Sequence, residues 1–184
     1  YASISHVGLV VVGIAAMNSQ GIQGAVFQLL NFTMIASALM LISGFIRERT
    51  GTTELVSLGS MAGEMPRLTA LFFLFALASI GLPGTSGFVG EILLIISAFE
   101  LHFSLGVLAL ITMVVGAAYL LSHMRRTFWG PGDNSEKMPM ADLKPEELWL
   151  LLPACVIVLT LGFFPNLVLD VIGPAAEQWL ALFN

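Results

Sequence analysis

What constrains this chain first is where its charges are absent. No Asp, Glu, Lys or Arg occurs from Gly24 to Ile46, from Leu68 to Leu82 or from Phe103 to Met124. A helix rises about 1.5 Å per residue, so about 20 uncharged residues reach across the roughly 30 Å hydrocarbon core of a bilayer. Only 10% of the 184 residues are charged and 57% are hydrophobic, against roughly 25% charged in soluble domains. Too little charge is available to cover a water-exposed surface. Inside a bilayer every backbone polar group must be paired within the segment, which leaves helices as the expected element. The expected fold class is all-α, a polytopic membrane helix bundle in contact with the lipid bilayer.

Reading the spans between charges predicts about six transmembrane helices, near 1–17, 24–46, 68–82, 84–100, 103–124 and 148–165. A C-terminal interfacial helix over 166–184, with Asp170, Glu177 and Trp179 among aliphatic residues, is expected to follow. Asn18-Ser19-Gln20-Gly21 reads as a polar turn, Thr50 to Pro66 as a solvated loop, and Gly130-Pro131-Gly132 as the opening of a charged loop that runs to Glu147. The fourth span is the unusual one. Its apolar part, Phe88 to Phe99, makes only about 18 Å of helix, too short to cross alone. Gly84-Thr85-Ser86-Gly87 must then lie at membrane depth, and the segment is expected to be discontinuous, its loosened backbone covered by neighbouring helices.

Six crossings would put both termini on one side with Arg47, Arg49 and Arg67, and Arg125, Arg126, Lys137 and Lys144 on the other. That one-residue excess favours a cytoplasmic loop at 125–147. The chain opens at Tyr1 without a methionine or a basic signal-type region, so its natural start is expected upstream. The net charge of −5 and the lack of any basic cluster beyond Arg125-Arg126 argue against a nucleic-acid partner. Cys155 stands alone in an apolar run, where it reads as packing. No metal-ligand spacing, phosphate loop or nucleophile elbow is present, so no metal, cofactor or catalytic centre is expected in this chain.

Glu91, flanked by Gly90 and Ile92 in the short fourth segment, carries the functional reading. A charge inside a bilayer costs from about 2.5 kcal/mol upward, so acids found there usually face an internal cavity and take part in ion or proton movement. The alternative is an interfacial Glu91 bonded to the loosened glycine backbone. Gly81, Gly84, Gly87 and Gly90 recur every three residues around Pro83. They permit a helix break, close helix packing or both, and a Gly/Pro-interrupted segment beside an acid points to a transport site. His6 exchanges protons near neutral pH without large perturbation, and it reads equally as a relay or a packing group.

Two segments, Tyr1-Ala2-Ser3-Ile4-Ser5-His6-Val7-Gly8 and Gly81-Leu82-Pro83-Gly84-Thr85-Ser86-Gly87-Phe88-Val89-Gly90-Glu91, resemble the antiporter-like subunit M family of bacterial respiratory complex I. Gly24 to Gln28, Arg47 to Thr50 and Leu161 to Pro165 follow the same pattern in the same order, so the resemblance covers essentially the whole chain. It implies helices nine to fourteen of a fourteen-helix subunit, with the discontinuous twelfth helix at the fourth segment and the N-terminal half missing. It also implies proton translocation coupled to quinone reduction elsewhere, in a bacterial inner (cytoplasmic) membrane. NADH, FMN, iron–sulfur clusters and quinone would lie in partner subunits, and the partners would be other membrane-arm subunits. Glu91 matches the acid of the outer half-channel and His6 one histidine of the relay. Phe32 stands where the family has a second histidine, which leaves Gln28, Asn31 and water as the expected bridge. Rival expectations are a subunit of a Mrp-type sodium/proton antiporter or membrane-bound hydrogenase, and a structural or assembly element with no pumping of its own.

Overall fold

The computed structural model describes residues 2–51, 61–130 and 141–183. Within these the regular elements are seven helices: α1 (Ala2–Ala15), α2 (Ser19–Thr50), α3 (Pro66–Ser79), α4 (Ser86–Leu101), α5 (Phe103–Trp129), α6 (Pro145–Phe163) and α7 (Asn166–Leu180). Three of them, α2, α5 and α6, are long and apolar enough to cross a bilayer unaided. Their outer faces carry large apolar side chains such as Met40, Val114 and Val156, which a surrounding lipid phase would cover. Tyr1, the stretch 52–60 with Glu54, the stretch 131–140 with Gly132 and Lys137, and Asn184 lie outside the described residues.

The polar turn before α2 is shorter than its composition suggests. Asn18 is extended and its side chain accepts a hydrogen bond from Gly21 N, so Ser19, Gln20 and Gly21 become the first helical turn. At the far end Gly51 takes the left-handed conformation at φ 72° and closes the helix beyond Arg47 and Arg49. The 32 residues of α2 make a rod of about 48 Å on which the other helices are arranged.

The helices α3 and α4, of 14 and 16 residues, follow one another along the same side of α2 and antiparallel to it. Gly21 sits against Ser97, Gly24 against Leu93 and Leu94, and Gln28 against Gly90. Past the break, Ile35, Ile42 and Ile46 pack with Phe75, Phe72, Leu68 and Met65 in one apolar core. The two short helices therefore share one discontinuous path through the bundle.

This arrangement corrects the expected sidedness. Arg49 donates to the Ala141 carbonyl at 2.8 Å and pairs with Glu147, and Ala62 N donates to the Phe128 carbonyl at 3.1 Å. The α2–α3 and α5–α6 connections thus meet at one end of the bundle. Treating α3 and α4 as separate crossings had placed them at opposite ends. All six described Lys and Arg residues, Arg47, Arg49, Arg67, Arg125, Arg126 and Lys144, belong to that end. Among the described residues the one-residue imbalance becomes a one-sided distribution.

Candidate functional site

Residues from α1, α2, α4 and α5 converge just past the break. On α2, Gly21, Gly24, Gln28 and Asn31 are buried at spacings of three and four residues, one helical face turned toward α4. On α4, Gly87, Gly90, Glu91 and Leu94 form the facing stripe. Small residues alternate with the polar ones, so the backbones approach closely enough for amide and carboxyl side chains to meet.

Glu91 lies at the centre with 3% of its surface exposed. His6 Nδ1 stands 3.5 Å from Glu91 Oε1, while Glu91 Oε2 is buried without a hydrogen-bond partner. Gln28 Nε2 lies 3.3 Å from His6 Nδ1, within hydrogen-bond reach, and Asn31 Nδ2 reaches Gln28 Oε1 at 3.5 Å. Ser86 Oγ, in the first turn of α4, donates to Asn31 Oδ1. The structure therefore brings His6, Gln28, Asn31 and Glu91 into one polar chain. The Phe32 ring packs on His6 with centroids 5.5 Å apart, filling space with a group that carries no proton.

A cavity of about 30 Å³ adjoins the pair, lined by Ser5, His6, Ser79, Glu91 and Thr112 among apolar neighbours. That is room for a water molecule, with polar groups to hold it. His6 and Glu91 are the titratable groups in its wall.

The break itself is built from Gly81 and Gly84, at φ 70° and 92°, a conformation that side chains with a Cβ disfavour. Pro83 lies between them. At Gly81 an added Cβ would stand 2.3 Å from Glu91 Oε2, so the turn leaves room for the free carboxyl oxygen only because this residue has no side chain. Gly87 packs on the Ala78 carbonyl and Gly90 on the Gln28 side chain, where an added Cβ would come within 2.2 Å of Oε1. The predicted glycine ridge thus makes the turn and also admits α2.

Ser86, Ser79 and Thr112 were not picked out by sequence reasoning. Hydroxyls are common in apolar helices, and Thr112 bonds its own backbone at the Leu108 carbonyl. Only the spacing of Ser86 from Glu91, just after the break, carried a signal. Among the described residues no group of three or more His, Cys, Asp or Glu side chains is placed to hold a metal ion.

Position along the helices gives the depth. Gln28, opposite Gly90, is about 28 Å of helix from Arg47 at the basic end and about 15 Å from Asn18 at the other. Along α5, Thr112 is about 20 Å from Arg125 and about 14 Å from Phe103. Both helices put Glu91 nearer the end that carries Asn18, Glu100 and His102.

Residues 1–116 match the family model described as NADH:quinone oxidoreductase/Mrp antiporter, TM. NADH-quinone oxidoreductase subunit M of Rhodobacter capsulatus is 37% identical over 178 residues, covering 97% of this chain and 35% of its own length. The NAD(P)H-quinone oxidoreductase chain 4 1 of Synechococcus elongatus is 40% identical over 177 residues, 93% of this chain and 33% of that protein. A chain of respiratory complex I from Thermus thermophilus superposes with a TM-score of 0.93 at 32% identity, over 100% of this chain and 38% of the other. A chain of the Mrp complex from Dietzia sp. shares the fold, with a TM-score of 0.81 at 24% identity over 96% of this chain and 41% of that one. This chain spans little more than a third of the length of such relatives. It is a multi-pass membrane protein and belongs to the NADH:quinone oxidoreductase/Mrp antiporter transmembrane family.

Proposed function

We propose that this chain is part of a membrane-arm subunit of a proton-translocating NADH:quinone oxidoreductase, and that Glu91 with His6 forms its proton half-channel toward the outer face. The observation that carries the reading is the under-satisfied carboxyl: Glu91 is 3% exposed, one oxygen lacks a partner and the other faces an imidazole beside a water-sized cavity. Such a carboxyl keeps a vacant place for a proton and a neighbour to exchange it with. Its position, closer to the end opposite the basic residues, supports an outlet on the non-cytoplasmic side.

The chain's own residues hold and pass protons, while NADH, FMN, iron–sulfur clusters and quinone belong to partner subunits. Other membrane-arm subunits and the remaining length of this subunit would complete the pathway, in a bacterial inner membrane. The helix α7, bearing Asp170 and Glu177 beside Gln23 of α2, fits an interfacial helix at the outer face. The experiment is Glu91→Gln in the full-length subunit, with NADH-driven proton uptake into inverted vesicles measured against electron transfer. Proton transfer through this subunit is expected to slow by about 100-fold or more, the usual weight of a positioned acid–base group. Unchanged proton yield at normal subunit content would leave the site a packing element.

A further inference from the structure

The polar chain beside Glu91 has a direction. Ser86 Oγ–H donates to Asn31 Oδ1, Asn31 Nδ2–H to Gln28 Oε1, and Gln28 Nε2–H to His6 Nδ1. An amide nitrogen can only donate, so with the Gln28 NH2 turned toward it His6 Nδ1 is an acceptor and carries no proton. Glu91 Oε1, 3.5 Å from that bare nitrogen, is compatible with it when the carboxyl holds the proton. Two lone pairs would otherwise face one another.

Transfer of that proton breaks the O–H bond at Glu91, leaves its electron pair on the carboxylate and forms an N–H bond at His6 Nδ1. The new N–H then points at the Gln28 amide hydrogens, donor against donor. One rearrangement restores every link. With both amides turned over, His6 Nδ1–H donates to Gln28 Oε1, Gln28 Nε2–H to Asn31 Oδ1, and Asn31 Nδ2–H to Ser86 Oγ. The serine hydroxyl closes either arrangement because it both donates and accepts.

We infer that Ser86, Asn31 and Gln28 are positioning residues that form a reversible amide chain, whose direction is coupled to which of His6 and Glu91 holds their shared proton. The inference rests on the relay reading above and adds its gate: the proton cannot settle on His6 until the amides have turned. Gly90 provides the space, since an added Cβ would stand 2.2 Å from Gln28 Oε1, within the volume the turning amide sweeps. It also gives Asn31 and Gln28 a role that transfers no proton themselves, next to a Phe32 that cannot accept one.

The test is time-resolved infrared difference spectroscopy of the intact complex during turnover. The Glu91 carboxyl band is assigned with Glu91→Gln, and the amide bands by ¹³C-labelling of the glutamine and asparagine side-chain carbonyls. Amide carbonyl bands are expected to change at the same rate as the Glu91 band. Ser86→Ala and Asn31→Leu are each expected to slow the Glu91 band at least about tenfold, as acid–base positioning losses do, and to uncouple the amide bands from it. An unchanged Glu91 rate in both variants at normal subunit content overturns the inference. Should neither variant assemble, a Glu91 band that moves in the unsubstituted complex without an amide band overturns it equally. A Glu91 band that never moves removes the relay reading itself.

Discussion

Two carboxyl environments in this bundle, the half-buried Asp142 and Glu147 and the fully buried Glu91, are treated in opposite ways. At the basic end Asp142 accepts from Arg67 N at 2.9 Å, Leu68 N at 3.2 Å and Leu143 N at 2.8 Å, which caps α3 from another part of the chain. Glu147 accepts from Arg49 and from Lys144 N at 2.8 Å, and Arg49 also binds the Phe45, Ala141 and Asp142 carbonyls. Glu91 has one carboxyl oxygen with no partner, and its polar neighbours are His6 at 3.5 Å and the Gln28 side chain. A group that holds a fold together is satisfied as fully as the chain allows. One that is buried with capacity unused invites a functional explanation.

The comparison breaks most readily at Arg49. Arg49→Ala would take from the Glu147 carboxylate, 11% exposed, its Arg49 partner and from the Ala141 and Asp142 carbonyls a side-chain donor. Removing one partner of a largely buried pair costs roughly 3 kcal/mol, and the subunit content and thermal midpoint of the intact complex are expected to fall accordingly. If the complex tolerated this change, the clamp would be decoration and the contrast with Glu91 would lose its structural half.

Gly81→Ala tests whether the break and the carboxyl are one device. The left-handed backbone alone makes the substitution unfavourable by about 1–2 kcal/mol, and the methyl group would press on Glu91 Oε2. Stability and proton yield are expected to fall together. A loss of stability with full proton yield would separate the turn from the site. Asn18→Ala acts farther away: it removes the cap of α2, the Ser97 bond at 2.8 Å and the Glu100 bond at 2.7 Å. It should cost about 1 kcal/mol in thermal denaturation and leave the proton yield of the surviving complex unchanged.

Much of this was legible in the residues, for identifiable reasons. Charge-free length located α2, α5 and α6, because the bilayer sets one thickness for all. Glu91 stood out because an acid in an apolar run is expensive, and the glycine spacing around Pro83 located the break. Sidedness was not legible: α3 and α4 have the composition of two spans, and only the packing of both on α2 shows that they share a path. Thr112 was hidden because a hydroxyl costs little inside a helix that can bond it to its own backbone, here at the Leu108 carbonyl. The joining of Asn31 to Ser86, 55 residues apart, exists only once α4 lies against α2.

The sharpest form of the comparison is the smallest effect on stability. Glu91→Gln keeps the shape of the side chain, and with its NH2 at the position of Oε1 toward His6 Nδ1 and its carbonyl at the already unpaired Oε2, no satisfied bond is lost. The thermal midpoint of the complex is expected to move by the equivalent of less than about 1 kcal/mol, well below the loss at Arg49. Proton yield should nevertheless fall, because an amide cannot release a proton to His6. The two carboxyl sites would then differ in kind, since removing one charge partner would cost the fold and neutralising the other would cost only the flux. A Glu91→Gln complex that melts like Arg49→Ala would show instead that Glu91 is held by contacts as demanding as those of Glu147.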